Sequence, residues 1–360
     1  MFYHTLMAHQ PPRLAQTPAD TSILDEALAR LSSTGPEFAG RLSNHGPMAC
    51  EALLRLGRAD AINHWLDAYV PRLEEAPGPG RPLAPQEWQG ALGAAHRYPD
   101  WQALFELELS ERPWTALVAD WVPRLVPGSV AAGTHGLIRT AHATRAMAQA
   151  ETLERRRELA TGLAYWASQY QALEGTPAPS GAFMADQALD KIPALPFNER
   201  EPGLISDQVV RASRLEGFGA SVDALVPPAS VDGALSELTS AMAGWYLANC
   251  EHDPIAFVHG VTAPGALRLL LPYLPARAAQ AAFAYVWQAC AAIRSAFSVE
   301  RPSPGARTEP PSIEELAADA VETGGAHAIK MTEACLRENS LRADSSYLLA
   351  AADAGRRLAW

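Results

Sequence analysis

Lysine is nearly absent from this chain: of 29 basic side chains only Lys191 and Lys330 are lysines. With a formal net charge of −11 and no block of Lys or Arg, there is no concentrated positive footprint for phosphates, which argues against a nucleic-acid partner. Cysteine is scarce too. Cys50, Cys250, Cys290 and Cys335 lie far apart with no C-x-x-C pair, so they read as buried thiols of a reducing compartment. The stretch from Met1 to Ala19, with His4, His9, Arg13 and three prolines, has no apolar run for a secretion signal, and a cytoplasmic location is expected. The longest apolar stretch, Ala276 to Phe297, is broken by Arg277, Gln280, Gln288 and Arg294; a buried core helix is expected there, and no membrane span. No G-x-G-x-x-G turn after a strand announces a flavin or nicotinamide site, and no H-x-H on a barrel strand is found.

What is present is helical periodicity. Runs of alternating β-branched residues with hairpin turns are missing, so the fold class is all-α: a multi-helix globular bundle, read as a single domain over residues 1–360, with long Pro-rich loops. Between Asp60 and Leu73 the apolar residues Ile62, Trp65, Leu66, Tyr69, Val70 and Leu73 keep the spacing of one helix face. Thr134 precedes a helix beginning near His135, and Ser312 with Glu315 forms an S-x-x-E capping box. Proline-rich stretches at Ala76–Pro85, Gly175–Pro202 and Pro302–Pro311 are expected to be loops, the middle one long enough for a lid.

Of ten histidines, His4, His9, His64, His96 and His252 sit in polar or terminal surroundings and are read as solvated. The other five have more informative neighbours. His45 stands at the entry to an inward-packing run through Leu53, Leu54 and Leu56, where a polar helix cap explains it equally well. His135 and His142 share one face of T-H-G-L-I-R-T-A-H with Ile138. His259 lies among Phe257, Val258 and Val261, so its ring needs a buried partner; a metal and a backbone carbonyl serve equally. His327 and Lys330 stand three residues apart on one helix face in G-G-A-H-A-I-K.

Lys330 is the informative residue because the chain otherwise uses arginine. A lysine kept on an apolar segment points to an amine as well as a charge, against the plainer reading of a salt bridge or a snorkelling side chain. Burial near a cation disfavours the ammonium, and a neutral amine adds carbon dioxide to give a carbamate, an anionic oxygen ligand. Four imidazoles and one such oxygen suit iron.

Four blocks, N-H-G-P-M-A-C-E-A-L-L-R-L-G, H-G-L-I-R-T-A-H, F-V-H-G-V-T and G-A-H-A-I-K, spanning His45 to Lys330, together resemble the questin oxidase-like proteins. That family acts on anthraquinone-type polyketides, inserting oxygen and opening a ring in a Baeyer–Villiger-like oxidation, and a relative looks like a non-heme iron dioxygenase with a carboxylated lysine. Carried onto matching positions, the resemblance implies Fe(II) held by His45, His135, His259, His327 and carbamylated Lys330, with His142 behind them. It departs from the fungal pattern at Met48 and Ala49, and at Arg139, where histidines are frequent; the departures bear on the substrate.

The implied partners are a small aromatic molecule and dioxygen, with NADPH an indirect reductant allowed by the family's description. Asn44, Thr262, Thr332 and Glu333 are candidates to orient the rings, and Arg139 flanks the second block. Trp65, Tyr69, Trp245, Tyr246 and Trp287 are candidate pocket walls, though core packing is the commoner use of such residues. Two other readings stand beside this one: a metal-free helical binding protein whose histidines satisfy its core, and a zinc hydrolase built on the carbamylated lysine.

Overall fold

The computed structural model describes residues 18–302 and 309–359. Among these residues seventeen α-helices and six short 3-10 turns make an all-α fold, and the two strands, Glu37–Phe38 and Leu42–Ser43, form one small antiparallel hairpin. His4 and His9 lie outside the described residues, as does part of the expected Pro302–Pro311 loop.

Local chemistry sets the helix ends. Ser312 and Glu315 exchange side-chain and backbone hydrogen bonds at the start of Ile313–Thr323, which Gly324 closes with φ 71°. The periodic stretch from Asp60 gives a shorter helix than its apolar spacing predicts: Ile62–Tyr69 buries Ile62, Trp65, Leu66 and Tyr69, and then tightens into a 3-10 turn at Pro71. The Gly175–Pro202 segment is not the uninterrupted loop expected from its prolines. It contains the helix Ala185–Lys191, pairs Phe183 with Leu225, and donates from Leu195 N to Ser295 O at 2.8 Å.

Two long apolar helices fill the centre. Ala276–Phe297 is the core helix its composition predicts, with Phe283, Val286, Trp287 and Ile293 buried. Pro254–Tyr273 is long and apolar enough to cross a membrane by length and composition, but 72% of its apolar window is buried inside the fold. The four cysteines are free and buried.

Buried apolar residues form two clusters, a large one and a smaller one built on the first helices, Pro18–Leu31 to Ile62–Tyr69. Four helices contribute to both. Gly46–Arg55 sends Met48 to the large cluster and Ala49 to the small one; His135–Gln149 divides Ala143 from Ala146; Ile313–Thr323 divides Leu316 from Ala317; Ala326–Leu341 divides Met331 from Ile329. Three of these helices begin within one residue of His45, His135 and His327, so the seam between the cores passes along the helices that carry those histidines.

Candidate metal centre

Each of the four histidines is delivered by a different device. His45 is the residue immediately before Gly46–Arg55, and its side chain makes no capping bond. Its backbone N–H donates to the Tyr69 hydroxyl at 2.7 Å, while the Asn44 amide braces the preceding turn by donating to Gly35 O at 2.9 Å and Thr34 Oγ1 at 3.0 Å. His135 opens His135–Gln149 after three successive left-handed residues, Ala132, Gly133 and Thr134, with φ 48°, 64° and 75°. Each non-glycine residue in such a conformation costs roughly 1–3 kcal/mol and needs a reason. Gly136 is the next residue because a Cβ there would meet Trp166 Cα at 2.7 Å, on the helix Leu153–Ser168 packed against it. His259 projects from the middle of Pro254–Leu270, and His327 and Lys330 from the first turns of Ala326–Leu341.

The four rings come together, and the Lys330 amine lies near enough to act on each of them electrostatically. His45 Nε2 and His135 Nε2 are 2.8 Å apart, and ligand atoms of His45, His135 and His327 all lie within 4.8 Å of one another. Ring centroids of His45 and His327, and of His135 and His259, are 4.5 Å apart, and those of His259 and His327 are 5.5 Å apart. His135, His259 and Lys330 are buried, whereas His45 and His327 are half-buried and form the more open edge.

Protons can be assigned from hydrogen bonds. His135 Nδ1 lies 2.7 Å from Ala132 O, which only accepts, so the proton is on Nδ1 and Nε2 carries the lone pair. His259 Nδ1 lies 3.0 Å from Thr134 Oγ1. His259 Nε2, His327 Nε2 and Lys330 Nζ are buried with no hydrogen-bond partner among the described residues. An unpartnered buried polar atom costs about 1–3 kcal/mol, so three in one place need a common explanation.

The electrostatics agree with neutral ligands. Burial, then the neighbouring Lys330 amine and the other rings, holds the pKa of His45 and His327 well below the usual value; burial and His259 lead for His135, and His259 falls to about 3. Burial alone brings the Lys330 amine down to about 7. Neutral imidazoles and a deprotonatable amine are the forms in which these groups bind a cation.

Behind the cluster a buried ionic chain ties together the helices that carry it. Glu51, on the His45 helix, accepts from His142 Nδ1 at 2.8 Å, Arg55 Nε at 2.8 Å and the Arg145 guanidinium. Arg145 also bonds Glu333 Oε1 at 2.5 Å, on the His327 helix, and Glu333 takes Arg337 Nε at 3.1 Å. Arg337 reaches Glu338 at 2.6 Å and the Gly265 carbonyl at 3.0 Å, and Glu338 meets Arg268 at 2.9 Å, both on the His259 helix. Burial opposes each carboxylate, but Arg145 with Arg55 and His142 holds Glu51 well below its usual range, and Arg145 with Arg337 brings Glu333 to about 2.

The expected supporting residues are placed differently from the sequence reading. His142 shares the face of His135 but lies two turns, about 10 Å, further along, and it serves Glu51. Arg139 forms a buried two-bond pair with Glu158 at 2.7 and 2.9 Å. Thr262 donates back to Val258 O at 2.9 Å. Asn44 braces backbone, Glu333 belongs to the ionic chain, and Thr332 Oγ1 is buried without a partner. The groups that do touch the rings, Ala132 O and Thr134 Oγ1, come from a segment whose left-handed backbone has no signal in its residue types beyond Gly133. Thr134 is the boundary residue expected, yet its hydroxyl makes no helix cap and turns to His259 instead.

Of the candidate pocket walls, Tyr69 bonds a candidate ligand residue, accepting from His45 N. Trp65 stacks on Tyr69 at 4.5 Å, Trp287 donates to Val222 O at 2.9 Å, Trp245 lies under Arg294, and Tyr246 donates to Asp353 at 2.8 Å. A cavity of about 220 Å³ lies away from the cluster, between Trp88, Trp121 and Leu104; Glu108 and Arg124 on its wall are paired with Arg112 and Asp120. His64, His96 and His252 are exposed, as read. No protein-family model and no curated protein matches the chain.

Proposed function

We propose that the cluster is a metal centre, that Fe(II) is its natural ion, and that the protein oxygenates an electron-rich aromatic of the anthraquinone or anthrone type, as the questin oxidase-like resemblance implies. The observation that carries the reading is the grouping of His45, His135 and His327, whose ligand atoms lie within 4.8 Å of one another, with the His259 ring 4.5 Å from that of His135 and with His259 Nε2, His327 Nε2 and Lys330 Nζ buried and without a hydrogen-bond partner among the described residues. One cation accounts for all of them. Two nitrogens bound in neighbouring positions about 2.1 Å from one ion lie about 3 Å apart, close to the spacing of His45 and His135.

The donor set favours iron over zinc. Structural zinc is satisfied by four ligands, and catalytic zinc by three with water, whereas five protein donors of nitrogen and oxygen type suit a metal of higher coordination number. Lys330 enters that set after its neutral amine bonds the carbon of carbon dioxide and loses a proton, giving a carbamate oxygen. A pKa of about 7 makes the neutral amine available at cytoplasmic pH. Iron, when bound, supplies the redox chemistry by which dioxygen reacts with an aromatic ring.

The protein's own residues supply orientation. Ala132 O fixes the His135 tautomer, the ionic chain from Glu51 to Arg268 fixes the spacing of the four helices, and the half-buried edge at His45 and His327 is the side from which a flat aromatic approaches. The reading places the enzyme in the cytoplasm, with NADPH acting only as an indirect reductant of substrate. Oxygen uptake by the iron-loaded protein in the presence of anthrones and hydroquinones tests it; uptake abolished in Lys330→Met supports it, and no uptake across both classes of substrate counts against it.

One observation favours the metal-free binding protein: His45 can donate from Nε2 to His135, satisfying that pair without an ion. It leaves the other three atoms without partners.

A further inference from the structure

We infer that Thr134 is a positioning residue for His259, and that the left-handed backbone of Ala132, Gly133 and Thr134 is maintained to place its hydroxyl. The inference rests on the reading of the cluster as a metal centre. A threonine before a helix ordinarily takes an extended backbone and caps the first turn with its side chain. Thr134 does neither: its φ is 75°, its side chain makes no capping bond, and Oγ1 lies 3.0 Å from His259 Nδ1 across 125 residues of sequence.

That contact is the ring's one described hydrogen bond. His259 is fully buried, and its other nitrogen, Nε2, has no partner. Without the Thr134 oxygen, nothing described would distinguish the two nitrogens, and neither the tautomer nor the ring flip would be set. In the inferred arrangement Oγ1 accepts the Nδ1 proton, which leaves Nε2 as the bare nitrogen of a ring whose centroid lies 4.5 Å from that of His135 and 5.5 Å from that of His327. The same three-residue turn brings Ala132 O to His135 Nδ1 at 2.7 Å, so one strained segment sets two rings.

Strain kept for a site predicts opposed effects on substitution. Glycine adopts φ 75° freely but has no hydroxyl, so Thr134→Gly relaxes the backbone and releases His259. The test compares wild type, Thr134→Gly and Thr134→Ser in three measurements: the melting temperature of metal-free protein, the Co(II) dissociation constant against a chromophoric chelator, and the His259 tautomer by ¹⁵N NMR without metal. The expected result is a Thr134→Gly protein that melts near wild type, because relief of the left-handed backbone offsets the lost buried hydrogen bond, binds Co(II) about 10–100-fold more weakly and loses its single Nδ1–H tautomer. Thr134→Ser should restore most of the affinity. A glycine variant with wild-type affinity and tautomer overturns the inference, as does one that melts lower and is not rescued by serine. Wild type that binds no Co(II), yet keeps a single Nδ1–H tautomer that glycine abolishes, overturns the metal reading and leaves the Thr134–His259 relationship standing.

Discussion

The Nε2 atoms of His45 and His135 face one another at 2.8 Å, and because His135 keeps its proton on Nδ1 for Ala132 O, the proton between them belongs to His45. A metal ion bound by both rings must expel that proton from its position. At pH 8 the rings are neutral, so the proton shifts to His45 Nδ1, and a carbamate formed from the neutral Lys330 amine and bicarbonate releases water and no proton. Calorimetric titration of Co(II) in two buffers of different ionisation enthalpy counts the protons; the account predicts net release well below one proton per ion, with or without bicarbonate, and release of a full proton would contradict it.

The ionic chain should dominate the stability of the region. Arg145 joins Glu51 to Glu333, and all three are largely buried, so Arg145→Ala leaves two buried carboxylates short of their cation. A loss of about 3–5 kcal/mol is expected in urea denaturation. Arg139→Ala, which strands Glu158 away from the cluster, should be comparably destabilising but change metal affinity much less.

The pH dependence has a definite sign. His45, His135, His259, His327 and Lys330 all have lowered pKa values in the folded protein, so unfolding takes up protons and stability rises with pH. For the histidines the loss begins as pH falls through about 6.5 and continues toward their folded values. For Lys330 it spans the interval from about 10.5 down to about 7. The Glu51 and Glu333 contribution is fully present above about 4.5 and is lost only as pH falls toward their lowered folded values, about 2 for Glu333. Melting temperatures of metal-free protein should rise from pH 5.5 to 9, and Lys330→Met should flatten the segment above pH 7.

Lys330→Met keeps roughly the volume of the side chain and removes the unpartnered amine, and with it the proposed carbamate. The metal-free variant should be at least as stable as wild type at pH 7 and should bind iron more than 10-fold more weakly. With ¹³C-labelled bicarbonate, wild type should give a carbamate resonance that the variant lacks.

The all-helical class, the capping box at Ser312 and the core role of Ala276–Phe297 were legible because each rests on local periodicity or local hydrogen bonding. The five candidate residues were singled out by their apolar neighbours, by the scarcity of lysine and by the family resemblance, and the fold brings the four rings together. Their support was not legible. His142, Arg139 and Thr262 stand near the ligands in sequence, but helix geometry sends His142 to Glu51 and Arg139 to Glu158, and Thr262 satisfies itself on its own helix. The partners in contact with the rings depend on a backbone conformation at Ala132–Thr134 that residue types do not encode, and the ionic chain on contacts between residues up to 188 apart.

The central claim is that five side chains share one ion, and elemental analysis of protein purified without added metal tests it most directly. The account predicts near-stoichiometric iron in wild type and its loss in both Lys330→Met and His259→Ala, each shown to be folded by circular dichroism. Folded wild-type protein that carries no metal and acquires none on incubation with Fe(II) and bicarbonate would contradict it.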